Sequence, residues 1–283
     1  MRSKVKKIKY RISWAVGSVL CGCLYFTGIL SSYEYIRKKI LKRYRSTILM
    51  YHSINNNGKD GGKPDITVST KRFKKQMAYL NRHASVVSLD SIVDGIGKRP
   101  KLSKDQVAIT FDDGYKDNYI HAYGVLRKYK FPATIFLISQ EVNKNDEMLN
   151  SDNIKRMEKD FINYGSHSVS HKILSEVDGE TATKEIALSK KTLENIINRE
   201  VKYFAYPKGK KEHFNSRIKK EVKKAGYKAA VCTENGEVRS ESDLFELKRI
   251  GVRNYPVFVM QARMSGIFES RPVYLIRKVM GLT

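Results

Sequence analysis

Two acidic residues and two histidines are the side chains most able to carry out chemistry together. The stretch 107–114 reads VAITFDDG, an apolar, partly β-branched run that predicts a buried strand ending at a tight turn. Carboxylates are seldom buried without a partner, and successive side chains of a strand point in different directions. One of Asp112 and Asp113 could therefore bind a cation while the other moves a proton. An acidic turn, with aspartate favoured by turn geometry alone, is the alternative.

The two histidines lie four residues apart in the stretch 164–171, which reads YGSHSVSH. This spacing puts both rings on one side of a helical turn, and a tight loop after a strand can do the same. Two neutral imidazoles and one carboxylate form the ligand set of a catalytic divalent-metal site with open positions for water and substrate. Zn²⁺ is the first expectation, and other divalent ions of similar ligand preference are alternatives because thiolate ligands are absent. A surface pair of histidines in a polar loop would be the non-functional explanation.

Together the two stretches resemble the polysaccharide deacetylases of carbohydrate esterase family four, the NodB homology fold. Residues 110–114 match the first motif of that family and residues 167–171 match the second, and the resemblance extends from about Ser46 to the C-terminus. It implies that Asp112 is the general base and that Asp113, His167 and His171 bind the metal. The reaction it implies is hydrolysis of N-acetyl groups on an acetylated amino-sugar polymer.

The elements that must position these residues alternate between strand and helix. Strands are expected at 47–54, 86–89, 107–111, 133–138, 161–164, 201–206, 227–232 and 244–252, and helices at 70–80, 90–96, 117–129, 151–161, 179–197, 213–225 and 257–264. This alternation predicts an α/β fold with a parallel sheet, and about seven units in one domain predict an irregular (β/α)-barrel. The strand ends would then converge on one mouth, where barrel enzymes keep their chemistry.

The order of the motifs is similar to that of the poly-N-acetylglucosamine deacetylase branch, in which the barrel is circularly permuted. A strand ending in Tyr51-His52 precedes the Asp-Asp strand, and the usual Leu-x-His that supplies the general acid is replaced by residues 247–249, Leu-Lys-Arg. The usual Arg-x-Pro-Tyr reads Ala-Tyr-Pro-Lys at 205–208, so the arginine that braces the base is missing there. We expect Arg249, or failing that Arg253, to replace it. A surface arginine in a basic protein is the alternative.

By motif position, the backbone N–H of Lys208 is the expected donor to the reaction's oxyanion, with Tyr206 beside it. For the general acid we expect His52, because imidazole titrates near neutral pH and because this is the one remaining histidine, of 6, at the end of an apolar strand. The permutation also places that strand next to the last one. A structural histidine that closes a strand is the alternative.

The N-terminus predicts attachment to a membrane. A basic lead, 1–11, precedes an uncharged segment, 12–33. As a helix this segment would reach about 33 Å, enough to cross the hydrocarbon core of a bilayer. A second basic block follows at 34–45, before the barrel at 46–283. The basic lead should stay inside the cell, which leaves the barrel outside. A cleaved signal peptide and a lipid anchor near Cys21 are alternatives.

Net charge indicates which classes of partner to expect, and cysteine content indicates whether disulfides support the fold. The formal net charge of +25 suggests attraction to an anionic surface, but nucleic acid is not expected, because the membrane segment would export the barrel and no aromatic–basic module is apparent. Of 3 cysteines only Cys232 lies in the barrel, so no disulfide supports its core. A peptidoglycan deacetylase and a sugar-binding barrel that has lost activity are the alternative functions, and the oligomeric state is not indicated.

Overall fold

The computed structural model describes residues 17–55, 66–98, 102–144 and 146–269. The chain separates into two compact units, one of which spans Arg45–Asn254 while the other combines Met1–Tyr44 with Tyr255–Thr283. All ten strands of the described residues belong to the first of these units. The last helix, which the sequence predicts as part of the barrel, belongs to the second unit, where it packs with the N-terminal helices.

Strands and helices alternate along the barrel as expected. The strands are β1 (Ser46–Tyr51), β2 (Ser53–Ile54), β3 (Thr67–Val68), β4 (Ser85–Val86), β5 (Gln106–Phe111), β6 (Ala133–Leu137), β7 (Ile162–Ser166), β8 (Tyr203–Ala205), β9 (Ala229–Val231) and β10 (Ile250–Gly251). The helices are α1 (Gly17–Phe26), α2 (Ile29–Tyr35), α3 (Thr70–His83), α4 (Leu89–Gly95), α5 (Gly124–Tyr129), α6 (Ser151–Glu158), α7 (Gly179–Ile197), α8 (Ser216–Lys224) and α9 (Val257–Ser265).

Seven parallel strands form the barrel wall in the order β10-β1-β5-β6-β7-β8-β9, and β4 pairs separately with β5. Adjacent strands are joined by crossovers that mostly carry a helix, which is how parallel strands are connected. Strand β5 shows why the sequence folds this way: Val107 to Phe111 are all buried, as a strand covered on both faces requires. The predicted α/β barrel of about seven strands is confirmed.

One short segment closes the barrel. Leu247 forms a parallel bridge with Val231 at the end of β9, and three residues later Ile250 pairs with Leu49 of β1. The first strand therefore lies beside the last, as the permutation predicts. The expected strand over 244–252 shrinks to β10 because this segment must pass from one wall strand to another and cannot follow either for its full length.

Helix starts follow local capping chemistry. The Ser69 side chain accepts a hydrogen bond from Arg72 N–H at the start of α3, and Asp178 accepts one from Thr181 N–H at the start of α7. The expected helix over 117–129 instead begins with a π-helical turn, Asn118–Tyr123, before α5. π-helical turns of this kind are common next to functional sites, and this one follows directly on the Asp-Asp turn.

The second unit is built from α1, α2 and α9. The ring of Phe258 on α9 lies 5.5 Å from Tyr25 and 5.8 Å from Phe26, and Gln261 Nε2 donates to Glu34 at 2.6 Å. Across the described residues, no single helix has the length and apolarity to cross a membrane. Gly17–Phe26 and Ile29–Ile40, bent by 72°, meet that requirement only as a pair. The predicted 12–33 span is thus interrupted at Gly28, and its first five residues and the 1–11 lead lie outside the described part.

Candidate active site

The predicted site residues come together at one end of the barrel. Strand β1 leads into His52, β5 into Asp112 and Asp113, and β7 into His167. The segment that closes the barrel contributes Arg249. Since these strands are parallel, their carboxyl ends open at the same mouth, which is where barrel folds place catalytic groups.

Asp112 is held by a buried, bidentate ion pair with Arg249. Arg249 Nη1 donates to Asp112 Oδ1 and Nη2 to Oδ2, both at 2.7 Å, and the two residues are 0% and 2% exposed. Arg249 also donates to Cys232 O at 2.9 Å and to Thr110 Oγ1 at 3.2 Å. The fork-shaped guanidinium matches both carboxylate oxygens, so it fixes the carboxylate plane as well as its charge. Arg249 thus makes with Asp112 the contact that the sequence predicts for a replacement of the missing bracing arginine.

Electrostatics keep Asp112 ionised despite its burial. Burial by itself raises the pKa of the Asp112 carboxyl, but the Arg249 guanidinium, with smaller contributions from His167 and His52, holds that pKa well below its usual range. Asp112 is therefore a carboxylate across the physiological pH range.

Asp113, His167 and His171 present three potential metal ligands to one point. Asp113 Oδ1 lies 3.5 Å from His167 Nε2 and 3.7 Å from His171 Nε2, and the three ligand atoms all lie within 4.8 Å of one another. Two ligands bound to one Zn²⁺ at about 2.1 Å with tetrahedral angles would be separated by ~3.4 Å. The observed spacing therefore fits a divalent ion with an Asp-His-His ligand set.

The hydrogen bond of His167 and the lowered pKa of His171 suit the same ion. His167 Nδ1 lies 2.8 Å from the carbonyl oxygen of Ala205, to which it can only donate, and this leaves Nε2 as a free acceptor. Burial, together with the neighbouring His167, lowers the pKa of His171 to about 4. His171 is consequently neutral near pH 7, the form in which imidazole binds metals.

The loops that carry these residues are conformationally constrained. Four of the nine described non-glycine residues with positive φ belong to the site: Asp113 (73°), Ser168 (65°), His171 (60°) and Lys208 (59°). Such backbone costs about 1–3 kcal/mol per residue and persists only where the surroundings enforce it. The site is therefore held in shape by its supporting contacts.

His52 lies beside Asp112 at the mouth. Its Nε2 is 4.0 Å from Asp112 Oδ2, and its side chain is 18% exposed. Burial lowers the pKa of His52 below its ordinary value, opposed by attraction to Asp112 and Asp113. Its backbone carbonyl accepts a hydrogen bond from Asn118 Nδ2 at 2.7 Å, which ties the end of β1 to the π-helical turn. The structure thus places His52 where a reacting group could reach it.

Tyr206 and Lys208, the two residues expected at the site after β8, have different environments. Tyr206 is fully buried, its ring stacks on Phe214 at 4.2 Å and its hydroxyl donates to Phe245 O, so its side chain has a structural position and does not face substrate. Lys208 is exposed, and its charge reaches the metal-binding pair, where it helps to lower the pKa of His171. Lys208 N–H has no hydrogen-bond acceptor among the described residues, which leaves it available at the motif position of the oxyanion donor.

Two supporting residues were not predicted from the sequence. Tyr115 lies next to Asp113, and burial, together with the Asp113 charge and a hydrogen bond to Asp113, raises the pKa of its hydroxyl. Glu185 on α7 accepts hydrogen bonds from the loop between the two histidines. Tyr115 directly follows the motif and could have been found by its position, whereas nothing in the helical pattern of α7 separates Glu185 from a surface glutamate.

Comparison with known proteins agrees with this geometry. The family described as polysaccharide deacetylase matches residues 99–230, a range that includes the Asp-Asp turn and the histidine loop but neither His52 nor Arg249. The chain is 32% identical over 217 residues to the polysaccharide deacetylase homologue YxkH of Bacillus subtilis (strain 168), covering 76% of this chain and 74% of that protein.

A second relative and a solved structure extend the match. The poly-beta-1,6-N-acetyl-D-glucosamine N-deacetylase of Staphylococcus aureus (strain MSSA476) is 29% identical over 219 residues, which cover 72% of this chain and 73% of that protein. The Streptococcus pyogenes deacetylase PplD, solved with acetate, has the same fold with a TM-score of 0.71 at 24% identity, covering 78% of this chain and 98% of that one. The chain therefore belongs to the polysaccharide deacetylase family, whose activity is hydrolytic N-deacetylation.

Proposed function

We propose that this protein is a metal-dependent deacetylase of an N-acetylglucosamine-containing exopolysaccharide, of the poly-N-acetylglucosamine type, and that it acts outside the cell. The observation that carries the proposal is the buried Asp112–Arg249 pair set directly beside the Asp113-His167-His171 cluster. One carboxylate is held ionised by a guanidinium while its neighbour in sequence faces two imidazoles. These are the two roles that hydrolysis of an unactivated amide requires.

Asp113, His167 and His171 would hold the metal, for which we propose Zn²⁺. When bound there, a divalent ion would polarise the acetyl carbonyl and lower the pKa of a water molecule. Asp112 accepts the proton of the attacking water, since its carboxylate is ionised and its plane is fixed by Arg249. Because Arg249 keeps that carboxylate weakly basic, proton transfer depends on the water being acidified.

Two further groups complete the reaction. The Lys208 N–H donates to the oxyanion that develops on the acetyl oxygen. His52 then donates a proton to the leaving amine, which departs as a free amino group while acetate is released. Its Nε2 lies 4.0 Å from Asp112 Oδ2, so the acid and the base flank the same point.

The substrate class is supported by the relatives. The S. aureus relative is named for poly-beta-1,6-N-acetyl-D-glucosamine, and it aligns with 72% of this chain. The complete ligand set and the presence of Asp112 as base argue against a barrel that only binds sugar. The motifs altered at 205–208 and 247–249 are those that usually supply the bracing arginine and the general acid. The ion pair with Asp112 supports Arg249 as the brace, and His52 is our candidate for the acid.

The experiment is acetate release by the full-length protein from a panel of acetylated polymers. Linear β-1,6-linked N-acetylglucosamine oligomers should be hydrolysed fastest, and chitin oligomers and peptidoglycan should be poorer substrates. A chelator should abolish release and added Zn²⁺ should restore it. Preference for peptidoglycan would replace the proposed substrate with a cell-wall one. Binding without hydrolysis of any polymer, at saturating Zn²⁺, would contradict the enzyme assignment.

We also propose that the N-terminal part holds the enzyme at the outer face of the cell membrane. Among the described residues, a large share of the exposed large hydrophobic side chains belongs to one short segment: Val19, Tyr25, Phe26, Ile29, Tyr35, Ile36, Ile40 and Leu41. Lysines at 38, 39 and 42 follow in the same segment and suit anionic headgroups. Fractionation should find the full-length protein in the membrane pellet and accessible to external protease. Recovery from the cytosol would contradict this location, while a secreted or lipid-anchored form would appear in the medium or in the detergent phase.

A further inference from the structure

The loop between the two metal-binding histidines is held by a residue of a neighbouring helix. Glu185 lies on α7 and is only 6% exposed. Its Oε2 accepts the backbone N–H groups of Val169 at 2.9 Å and Ser170 at 2.8 Å, and its Oε1 accepts the Ser170 hydroxyl at 2.5 Å. A buried carboxylate with three donors from one four-residue loop is an anchor of that loop, because hydrogen bonds to a charged acceptor are about twice as strong as neutral ones.

The same loop is strained at both ends of the anchored segment. Ser168 and His171 have φ angles of 65° and 60°, and Val169 and Ser170 lie between them. Two left-handed residues in four have a conformational cost that the surroundings must offset. The Ser168 hydroxyl accepts His171 N–H at 3.0 Å, and the bonds to Glu185 fix the intervening residues.

A second residue of α7, one helical turn on, supports the start of the loop. Ser189 Oγ accepts a hydrogen bond from Ser166 Oγ at 2.7 Å, and Ser166 Oγ in turn accepts Ser168 N–H at 3.3 Å. Glu185 and Ser189 are at i and i+4, so they lie on one face of the helix. This face of α7 therefore contacts the histidine loop at two points.

His171 depends on this support more than His167 does. His167 is 3% exposed in its side chain and bound directly to Ala205 O, whereas the His171 side chain is 23% exposed and no ring hydrogen bond to a protein acceptor is recorded for it among the described residues. The orientation of His171 is therefore set by its backbone, and its backbone is set by the loop that Glu185 anchors.

We propose that Glu185 is a positioning residue for metal binding, which fixes His171 as the third ligand by anchoring the loop 168–171. The inference rests on the proposed metal-dependent function. It adds that α7, which contributes no ligand to the ion, supports metal binding through Glu185. Partners of this kind change metal affinity by 10- to 100-fold when removed.

The test is the Zn²⁺ dissociation constant of the full-length protein, measured by competition with a chromogenic chelator. Glu185→Gln keeps the volume but removes the charge, and we expect a 10- to 100-fold weaker affinity. Ser170→Ala removes one of the three donors and should weaken binding by a smaller factor. Glu180→Gln is the matched control, because Glu180 lies on the same helix, is 77% exposed and pairs only with Lys184 among the described residues. It should bind as the parent does.

The thermal unfolding midpoint of each apo protein separates positioning from stability. A purely structural role would lower that midpoint and leave the Zn²⁺ affinity of the folded protein unchanged, which would overturn the proposal. The proposal requires weaker Zn²⁺ binding by folded Glu185→Gln and recovery of activity at high Zn²⁺. If Glu185→Gln fails to fold, Ser170→Ala decides: affinity within twofold of the parent overturns the proposal. Failure of the parent itself to bind Zn²⁺ would instead refute the proposed function.

Discussion

Replacement of Arg249 by methionine tests the base and its brace in one change. The substitution removes a fully buried guanidinium and leaves the Asp112 carboxylate, 2% exposed, without the two 2.7 Å hydrogen bonds that neutralise it. Methionine fills much of the same volume without a charge. The change therefore isolates the cost of an unpaired buried carboxylate.

The magnitude follows from the burial of the pair. Removal of one partner from a buried ion pair costs about 3–5 kcal/mol, because the remaining charge is left uncompensated. For a unit of the size of Arg45–Asn254, each kcal/mol lowers the midpoint of thermal unfolding by about 2–4 °C. We expect the midpoint at pH 7 to fall by roughly 6–20 °C.

The stability loss of Arg249→Met should also depend on pH, in a direction that follows from the unpaired carboxylate. In the parent, the depressed pKa of Asp112 contributes stability that is present at neutral pH and is lost as pH falls. Without Arg249 the largest remaining effect is burial, which raises the pKa of Asp112 above its unfolded value. The penalty of the variant should therefore be largest at pH 7 and smaller near pH 4, where the carboxyl can be protonated. The acid limb of its activity profile should move to higher pH.

The assay is thermal unfolding from pH 4 to pH 8 in a double-mutant cycle with Asp112→Asn. The double variant should be more stable than the sum of the two single losses predicts, since it leaves neither charge unpaired. Arg253→Met is the matched control, an arginine four residues further along the chain. A midpoint for Arg249→Met within 2 °C of the parent, or an equal penalty at pH 4 and pH 7, would refute the reasoning.

Three further outcomes follow from the site. Asp113→Ala should lose Zn²⁺ and activity together, whereas Asp112→Asn should keep Zn²⁺ and lose turnover by at least 100-fold, a split that equilibrium dialysis and acetate release would show. His52→Ala should lose turnover with Zn²⁺ occupancy unchanged, and the fall of kcat/KM as pH rises through the lowered pKa of His52 should disappear; parent-like rates would leave the acid unassigned. Gly209→Ala should slow turnover several-fold, because its Cβ would lie 2.9 Å from Thr233 N and the Lys208 N–H would shift, while Gly97→Ala, also at positive φ but in open space, should leave the rate intact.

The sequence was sufficient for the parts of the site that follow from local pattern. The apolar run into Asp112 and the four-residue spacing of the histidines predicted both strand ends, and alternation of elements predicted the parallel barrel. Arg249 was a candidate, together with Arg253, because the arginine that usually braces the base is missing at 205–208. Without that arginine, Asp112 needed an ion-pair partner from another part of the chain.

The rest depends on contacts that are distant in sequence. Tyr206 was expected at the site because of its neighbours in the motif, but strand alternation and the ring of Phe214 turn it into the core. The anchoring role of Glu185 cannot be read from α7, since an inward-facing glutamate on an amphipathic helix has no local signature. The boundary at Asn254 likewise depends on the packing of Phe258 against Tyr25.

Barrel closure by the segment 247–251 also bears on the order in which the protein folds. Its contacts join β10 to β1, about two hundred residues earlier in the chain, and Arg249 to Asp112, 137 residues earlier. Contacts of such long range form late, because the entropy of closing the intervening chain is lost before they contribute stability. The step that completes the wall is thus also the step that pairs Asp112 with Arg249 and fixes the plane of its carboxylate. A partly folded chain, or one cut before Arg249, would carry all three residues of the ligand set and still lack the guanidinium that holds Asp112.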